Sequence, residues 1–282
     1  MLEDILFGQL TMPGEWIRLV LAFAGTMIGA YFDLFNKKNV PDMFLYCFLA
    51  LAFIVNLVFY EPTLFWFSIG VAVFFSAVGY LFYRVGQLGG ADVFILAAIM
   101  LLLPINPSSV GMTFNMPFVL SVIIFSGVAF ALYVLAYFGW KLLQVEAKPN
   151  LIYLLMFIPY FLFAYVYVNS FLFSAVYFAF ISVLLFSMIF FMMFKSSINM
   201  LLAEELPVSQ LEDGDVLAIE VMNKDLIERY KLTRLMTASE IARIKKTKVS
   251  EVWVYTKLPP FIPFILAGMI LSMFFAKSLL LF

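Results

Sequence analysis

The chain has 282 residues, of which 65% are hydrophobic and only 12% charged, with a formal net charge of -1. A soluble domain carries roughly twice that charged fraction, so the composition excludes an ordinary globular protein and points to a polytopic membrane protein. Histidine is absent and Cys47 is the single cysteine. This removes Ser-His-Asp, Cys-His and HExxH chemistry and leaves neither an intrachain disulfide nor a multi-cysteine metal site.

Residues 1–15 read as a short amphipathic lead-in ending near Pro13-Gly14. With Glu3, Asp4 and Glu15 they lack the basic start of a cleavable signal peptide. Apolar runs follow at about 16–36, 43–60, 63–83, 90–105, 117–142, 151–168, 171–194 and 259–281. A membrane helix needs ~20 mainly apolar residues. The predicted fold is therefore an all-α polytopic membrane protein of about eight transmembrane helices. Breakers separate the runs at Pro41, Glu61-Pro62, Pro104 to Pro107, Pro149-Asn150, Asn169-Ser170 and Pro259-Pro260. Runs six and seven, parted only by Asn169-Ser170, read as a hairpin or as one long bent element. The fourth run is short and starts at Gly86-Gln87-Leu88-Gly89-Gly90-Ala91-Asp92, which predicts a helix entering from a site at or below the membrane surface.

Lysine and arginine favour cytoplasmic loops. With the amino terminus outside, every one of the 17 basic residues except Arg18 and Lys277 falls on the inner side. The cytoplasmic set includes Lys37, Lys38, Arg84, Lys141, Lys148 and the stretch from Lys195 to Lys257. Residues 196–258 differ in kind, with dense mixed charge and spaced apolar positions. Val216 to Val221 alternates as a strand after the turn Asp213-Gly214-Asp215. Thr237 to Glu240 fits a capping box opening a short helix through Lys246, and Glu251 to Tyr255 reads as a second strand. The predicted domains are a transmembrane core at 1–195, a small cytoplasmic α+β domain at 196–258 and a last transmembrane helix at 259–282. Mixed charge marks 196–258 as a solvated surface, with no nucleic-acid patch.

An ionisable side chain inside the membrane is costly and is a functional-site candidate for that reason. Asp33, near the inner end of the first run, and Asp92, at the inner start of the fourth, are the two carboxylates flanked closely by apolar sequence on one side of the bilayer. Asp42, after Pro41, reads first as a helix-start or turn residue. Two carboxylates meeting at one site cannot both ionise cheaply, so they share a proton. The ionised member can then activate water while the protonated member donates to a scissile amide. Each aspartate also has a plainer reading, as an interfacial ion-pair partner or a helix cap. A proton- or cation-coupled transporter is the alternative use of such a pair. It predicts carboxylates nearer mid-membrane, several helices lined by polar residues, and repeated halves. A third reading is a membrane anchor with 196–258 as a docking module, in which neither aspartate matters.

Three features resemble the type IV prepilin peptidase and archaeal preflagellin peptidase family, the membrane aspartyl proteases often called GxGD proteases. One is Asp33-Leu34 followed by Lys37-Lys38 and Val40-Pro41-Asp42. Another is Gly89-Gly90-Ala91-Asp92 opening a helix, and the third is the tail from Glu251 to Pro263. Ala91 stands where the family has glycine, and the spacing from Asp33 to Pro41 is one residue longer than the common pattern. The resemblance implies an endopeptidase without metal or other cofactor. It would remove the short basic leader from prepilin-like or preflagellin (archaellin) precursors at the cytoplasmic face of the cell membrane. It implies Asp33 and Asp92 as the catalytic pair, with Gly86, Gly89, Gly90, Lys37, Lys38 and Asp42 shaping the site or binding substrate. The expected partners are the precursor and the lipid bilayer. A single cysteine excludes the tetracysteine domain of many bacterial members, so the archaeal branch fits better. The Pro-Ala-Leu motif expected of presenilin-like relatives is absent.

Overall fold

A computed structural model describes residues 11–36, 39–110, 116–145, 147–171, 173–247, 249–256 and 259–279. Most of the expected lead-in, together with Lys37, Lys38 and Glu146, lies outside the described residues. The apolar helices are α1 (Glu15–Phe35), α2 (Asp42–Val58), α3 (Pro62–Arg84), α4 (Gly90–Leu102), α5 (Phe118–Gln144), α6 (Phe157–Val168) and α7 (Ala175–Met193). A 3-10 turn at Leu151–Met156 leads into α6. Then follow α8 (Lys195–Leu202), β1 (Ala203–Pro207), α9 (Lys224–Tyr230), α10 (Ala238–Ile244), β2 (Glu251–Tyr255) and the apolar α11 (Ile262–Phe275).

Among the described residues, five apolar helical segments are long enough to cross a membrane: α1, α3, α5, α7 and the combined Leu151–Val168 segment. The other three expected runs form shorter helices, α2, α4 and α11, of 17, 13 and 14 residues. At 1.5 Å per residue, 13 residues rise only ~20 Å against ~30 Å of hydrocarbon. The described residues thus supply five spans of full length where about eight were expected. Runs six and seven form a hairpin, tied by Tyr160 and Ser182 hydroxyls 2.8 Å apart. Large exposed apolar side chains cover the outside of the bundle, α6 most of all. Water would reject such a surface, and lipid accommodates it; this is a multi-pass membrane protein. Exposed Trp16 and Trp66 start α1 and α3 and exposed Trp140 ends α5, marking two interfacial levels.

The short α4 is the axis of the core. It packs against α1, α2, α3 and α5, and Ile95, Ala98, Ile99 and Leu102 have no accessible surface. A helix apolar all round is a buried helix. Pro104 stops α4 inside the protein, and residues 103–107 continue as buried non-helical backbone. Such backbone at membrane depth requires donors, and Arg18 supplies them. Its guanidinium, 1% exposed, donates to the carbonyls of Leu101 (3.3 Å) and Leu102 (3.2 Å), to Asn56 Oδ1 (2.8 Å) and to Pro13 O (2.9 Å). Asn56 Nδ2 donates to Leu101 O at 2.6 Å. Helix α11 closes the bundle between α1 and α5, where Gly268 lies so near Ser126 and the Val122 carbonyl that a Cβ would overlap both.

On the Asp33 and Asp92 side, β1 and β2 pair antiparallel with Ala203 opposite Tyr255 and Pro207 opposite Glu251. The expected strand at 216–221 is not formed. Only Val216 and Leu217 make isolated bridges, to Leu235 and Val254, and the chain turns where Val221 N–H meets Ala218 O at 2.9 Å. Strand β1 takes its place as the partner of β2. The expected cap holds, with Thr237 accepting from Glu240 N–H at the start of α10. Val208, Leu217, Met236, Ile244, Val252 and Val254 form a small core of their own. A second cluster joins Phe138 and Leu142 of α5 to Leu202, Ala218 and Tyr255.

Candidate active site

Asp33 and Asp92 arrive from opposite chain directions at one end of the bundle, Asp33 in the last turn of α1 and Asp92 in the first turn of α4. Both are buried, each 7% exposed. The two helices that carry them pack against each other. The approach depends on Gly29, one turn before Asp33. Its missing side chain admits Ile95 of α4, whose Cδ1 would lie 3.0 Å from a Cβ, and Ile262 of α11 at 3.5 Å. The three elements therefore converge beside the two carboxyls.

Each aspartate also holds the start of a helix. Gly89 is the N-cap of α4, and Asp92 Oδ2 accepts its N–H at 3.0 Å. Asp33 Oδ2 accepts the Ile262 N–H at 3.1 Å, the first residue of α11 and 229 positions away. Helix N-termini present free amides and a partial positive charge, which suits a carboxylate. The plainer capping reading is thus present in the structure. It does not compete with chemistry, because a carboxyl group has a second oxygen.

The three glycines serve different ends. Gly86, at φ +71, occupies the left-handed position that closes α3. Its N–H donates to Tyr83 O at 2.8 Å and Gln87 N–H donates to Phe82 O at 2.9 Å, the paired bonds of a Schellman motif. A Cβ on Gly86 would meet Val216 at 3.3 Å and Arg234 at 3.6 Å, so this turn also receives the segment that carries the sheet. At Gly89 a Cβ would sit 2.9 Å from Asp92 Oδ2, which makes this the glycine whose bareness bears on the aspartate itself. A Cβ on Gly90 would meet only the Tyr83 ring, at an ordinary 3.5 Å. Ala91 packs partly buried against the core.

Asp42 is exposed at the first position of α2, and among the described residues no hydrogen bond or ion pair joins it to Asp33 or Asp92. Lys37 and Lys38 are outside the described residues. Among the described residues no group of three or more metal-ligating side chains comes together. Sequence reasoning missed the Ile262 amide and buried Arg18. Of these, Arg18 had a signal: prolines inside an apolar run leave carbonyls that need a donor.

Residues 20–135 match the model of the type IV leader peptidase family. The matched segment spans from α1 into α5 and includes both aspartates. No curated protein and no solved structure matches the chain. Two of the three motifs behind the resemblance, those at Asp33 and at Asp92, fall within the matched residues, and the tail from Glu251 to Pro263 lies outside them.

Proposed function

We propose that this chain, with the core of a type IV leader peptidase at residues 20–135, is an aspartyl endopeptidase that removes leader peptides from prepilin-like or preflagellin precursors. The observation that carries the reading is the placement of two buried carboxyls, from α1 and α4, at one end of the bundle, each bound to the start of a helix. Asp33 and Asp92 hold a water between them, one taking its proton while the other protonates the leaving amide. The backbone bonds from Ile262 and Gly89 orient the carboxyls before substrate arrives. The basic loops support a cytoplasmic position for this end of the bundle, and in this reading residues 196–258 are a cytoplasmic α+β domain between the core and the last helix.

The test is cleavage of a purified precursor in detergent or membranes by Asp33→Asn and Asp92→Asn. Asparagine keeps an oxygen for the Ile262 or Gly89 amide and removes the ionisable group, so the helix starts stay held. Each substitution is expected to lower cleavage on the order of a hundredfold or more with an unchanged melting profile. Full cleavage by either variant overturns the dyad.

A further inference from the structure

The two aspartates are held in different ways. Asp92 is held locally, by an amide three residues earlier at the start of its own helix. Asp33 is held by the Ile262 amide, 229 positions along the chain. The sequence around Ile262 decides which amide can do this. Pro263 fills the second position of α11 and has no N–H. The Phe264 and Ile265 N–H groups both donate to Phe261 O, at 2.9 and 3.2 Å. Phe261, at the N-cap, has no side chain that accepts a bond. Within the first turn of α11, the donor left for Asp33 is therefore the Ile262 N–H.

Where that amide stands depends on how α11 is seated. The helix packs most extensively on α5 and next on α1. On the α5 side, a Cβ on Gly268 would overlap Ser126 Oγ and sit 2.6 Å from Val122 O. The carbonyl oxygen belongs to the main chain and cannot swing aside, and the Ser126 hydroxyl is itself committed to it at 2.6 Å. On the α1 side, a Cβ on Gly29 would meet Ile262 Cγ2 at 3.5 Å. Two glycines thus let α11 lie against its neighbours. Gly268 is six residues beyond Ile262, about 9 Å along the helix.

We infer that α11 completes the active site: the main-chain N–H of Ile262 is the positioning group of Asp33, and Gly268 sets where that N–H is delivered. This assignment rests on the peptidase reading above and extends it, because α11 lies wholly outside residues 20–135. A carboxyl bonded through one oxygen no longer turns freely about its Cβ–Cγ bond. The direction of its other oxygen toward water is then set before substrate binds. With the bond lost, the carboxyl is still present but reacts from a spread of orientations.

The experiment removes one hydrogen-bond donor and keeps the side chain. Replacing Ile262 by its α-hydroxy acid turns the Phe261–Ile262 amide into an ester, which has no N–H. The same exchange at Ile265 deletes a bond to Phe261 O in the same turn and is the control. In the full-length protein cleaving a purified precursor, the 262 ester is expected to lower kcat on the order of tenfold or more with KM nearly unchanged. The 265 ester is expected to stay near the wild type in both. Gly268→Ala should give a loss of the same kind as the 262 ester, and combining the two should add little, because both act through one bond. Hydrogen exchange supplies a readout without cleavage. Pro259, Pro260 and Pro263 carry no N–H, so Phe261 and Ile262 are the exchanging amides of residues 259–263. Asp33→Asn, which keeps an oxygen, retains the protection of this segment, and Asp33→Ala loses it. A 262 ester that cleaves like the wild type, equal losses from the two esters, or protection that survives Asp33→Ala overturns the positioning role and leaves the peptidase reading standing. A wild-type protein that cleaves no precursor overturns the peptidase reading and the positioning role with it.

Discussion

At Gly89, a single hydrogen atom separates two functions of one residue. Its N–H fixes Asp92 Oδ2, and its lack of a side chain leaves that oxygen room. The backbone there, at φ -73 and ψ 146, suits alanine as well as glycine, so Gly89→Ala introduces contact without backbone strain. The new Cβ must displace the carboxyl from 2.9 Å. Shifts well under 1 Å at a reacting group are costly, and we expect kcat to fall on the order of tenfold or more while KM changes little. Gly90→Ala adds only an ordinary contact to Tyr83 and is expected to have a far smaller effect. Steady-state kinetics on one precursor separates the two, and equal losses would refute this division of labour. The motif was legible in the sequence as a row of permissive residues. Which glycine frees the aspartate and which closes α3 was not, because that depends on the left-handed turn at Gly86 and on where Oδ2 points.

Among the elements, α4 was visible as a short apolar run, but what allows it to be short was not. Hydrophobic periodicity reports burial and says nothing of which distant donor meets the carbonyls at a helix end. Those carbonyls belong to Leu101 and Leu102, and their donor Arg18 is 83 and 84 residues away. Charge counting along the loops treated Arg18 as an outer-surface residue, whereas it is buried against the end of α4. Strand β1 was hidden for a related reason. Ala203-Glu-Glu-Leu-Pro207 has no β-branched residue and follows α8 directly, so its extended state comes from pairing with the valine-rich β2. The Arg18 network yields its own prediction. Arg18→Ala strands Asn56 Oδ1 and a helix-end carbonyl in the protein interior, at a cost of roughly 3 kcal/mol. Arg18→Lys recovers only part, because an ammonium lacks the planar fork that reaches several acceptors at once. Thermal melts in detergent check both, and an alanine variant that melts like the wild type would show the network to be dispensable.

Across the whole molecule, the sheet-bearing segment touches one half of the site and precedes the other in sequence, without containing either aspartate. On one side, Val216 and Arg234 lie against the Gly86 turn that leads into Asp92. On the other, β2 runs on toward Ile262, whose amide holds Asp33. The two sides are joined by one polar cluster. Arg234 Nη1 donates to Glu220 Oε1 at 3.0 Å, the Tyr255 hydroxyl donates to Glu220 Oε2 at 2.9 Å, and the guanidinium lies 6.0 Å from the Tyr255 ring centre. Burial and the bond to Glu220 push the Tyr255 hydroxyl up from its ordinary range, so it stays a donor at neutral pH. We expect a segment braced in this way to steady the Gly86 turn it packs against and, through it, the start of α4. The position of Asp92, in the first turn of α4, is then expected to depend on it. Arg234→Ala removes the contact at the turn and one arm of the cluster. We expect kcat to drop on the order of tenfold with KM nearly unchanged. Tyr255→Phe, which keeps the ring and loses only the bond to Glu220, is expected to give a smaller loss of the same kind. Because both act through one cluster, the double variant should lose less than the product of the two single losses. Independent, fully multiplicative effects, or a change confined to KM, would mean that the segment does not position the dyad.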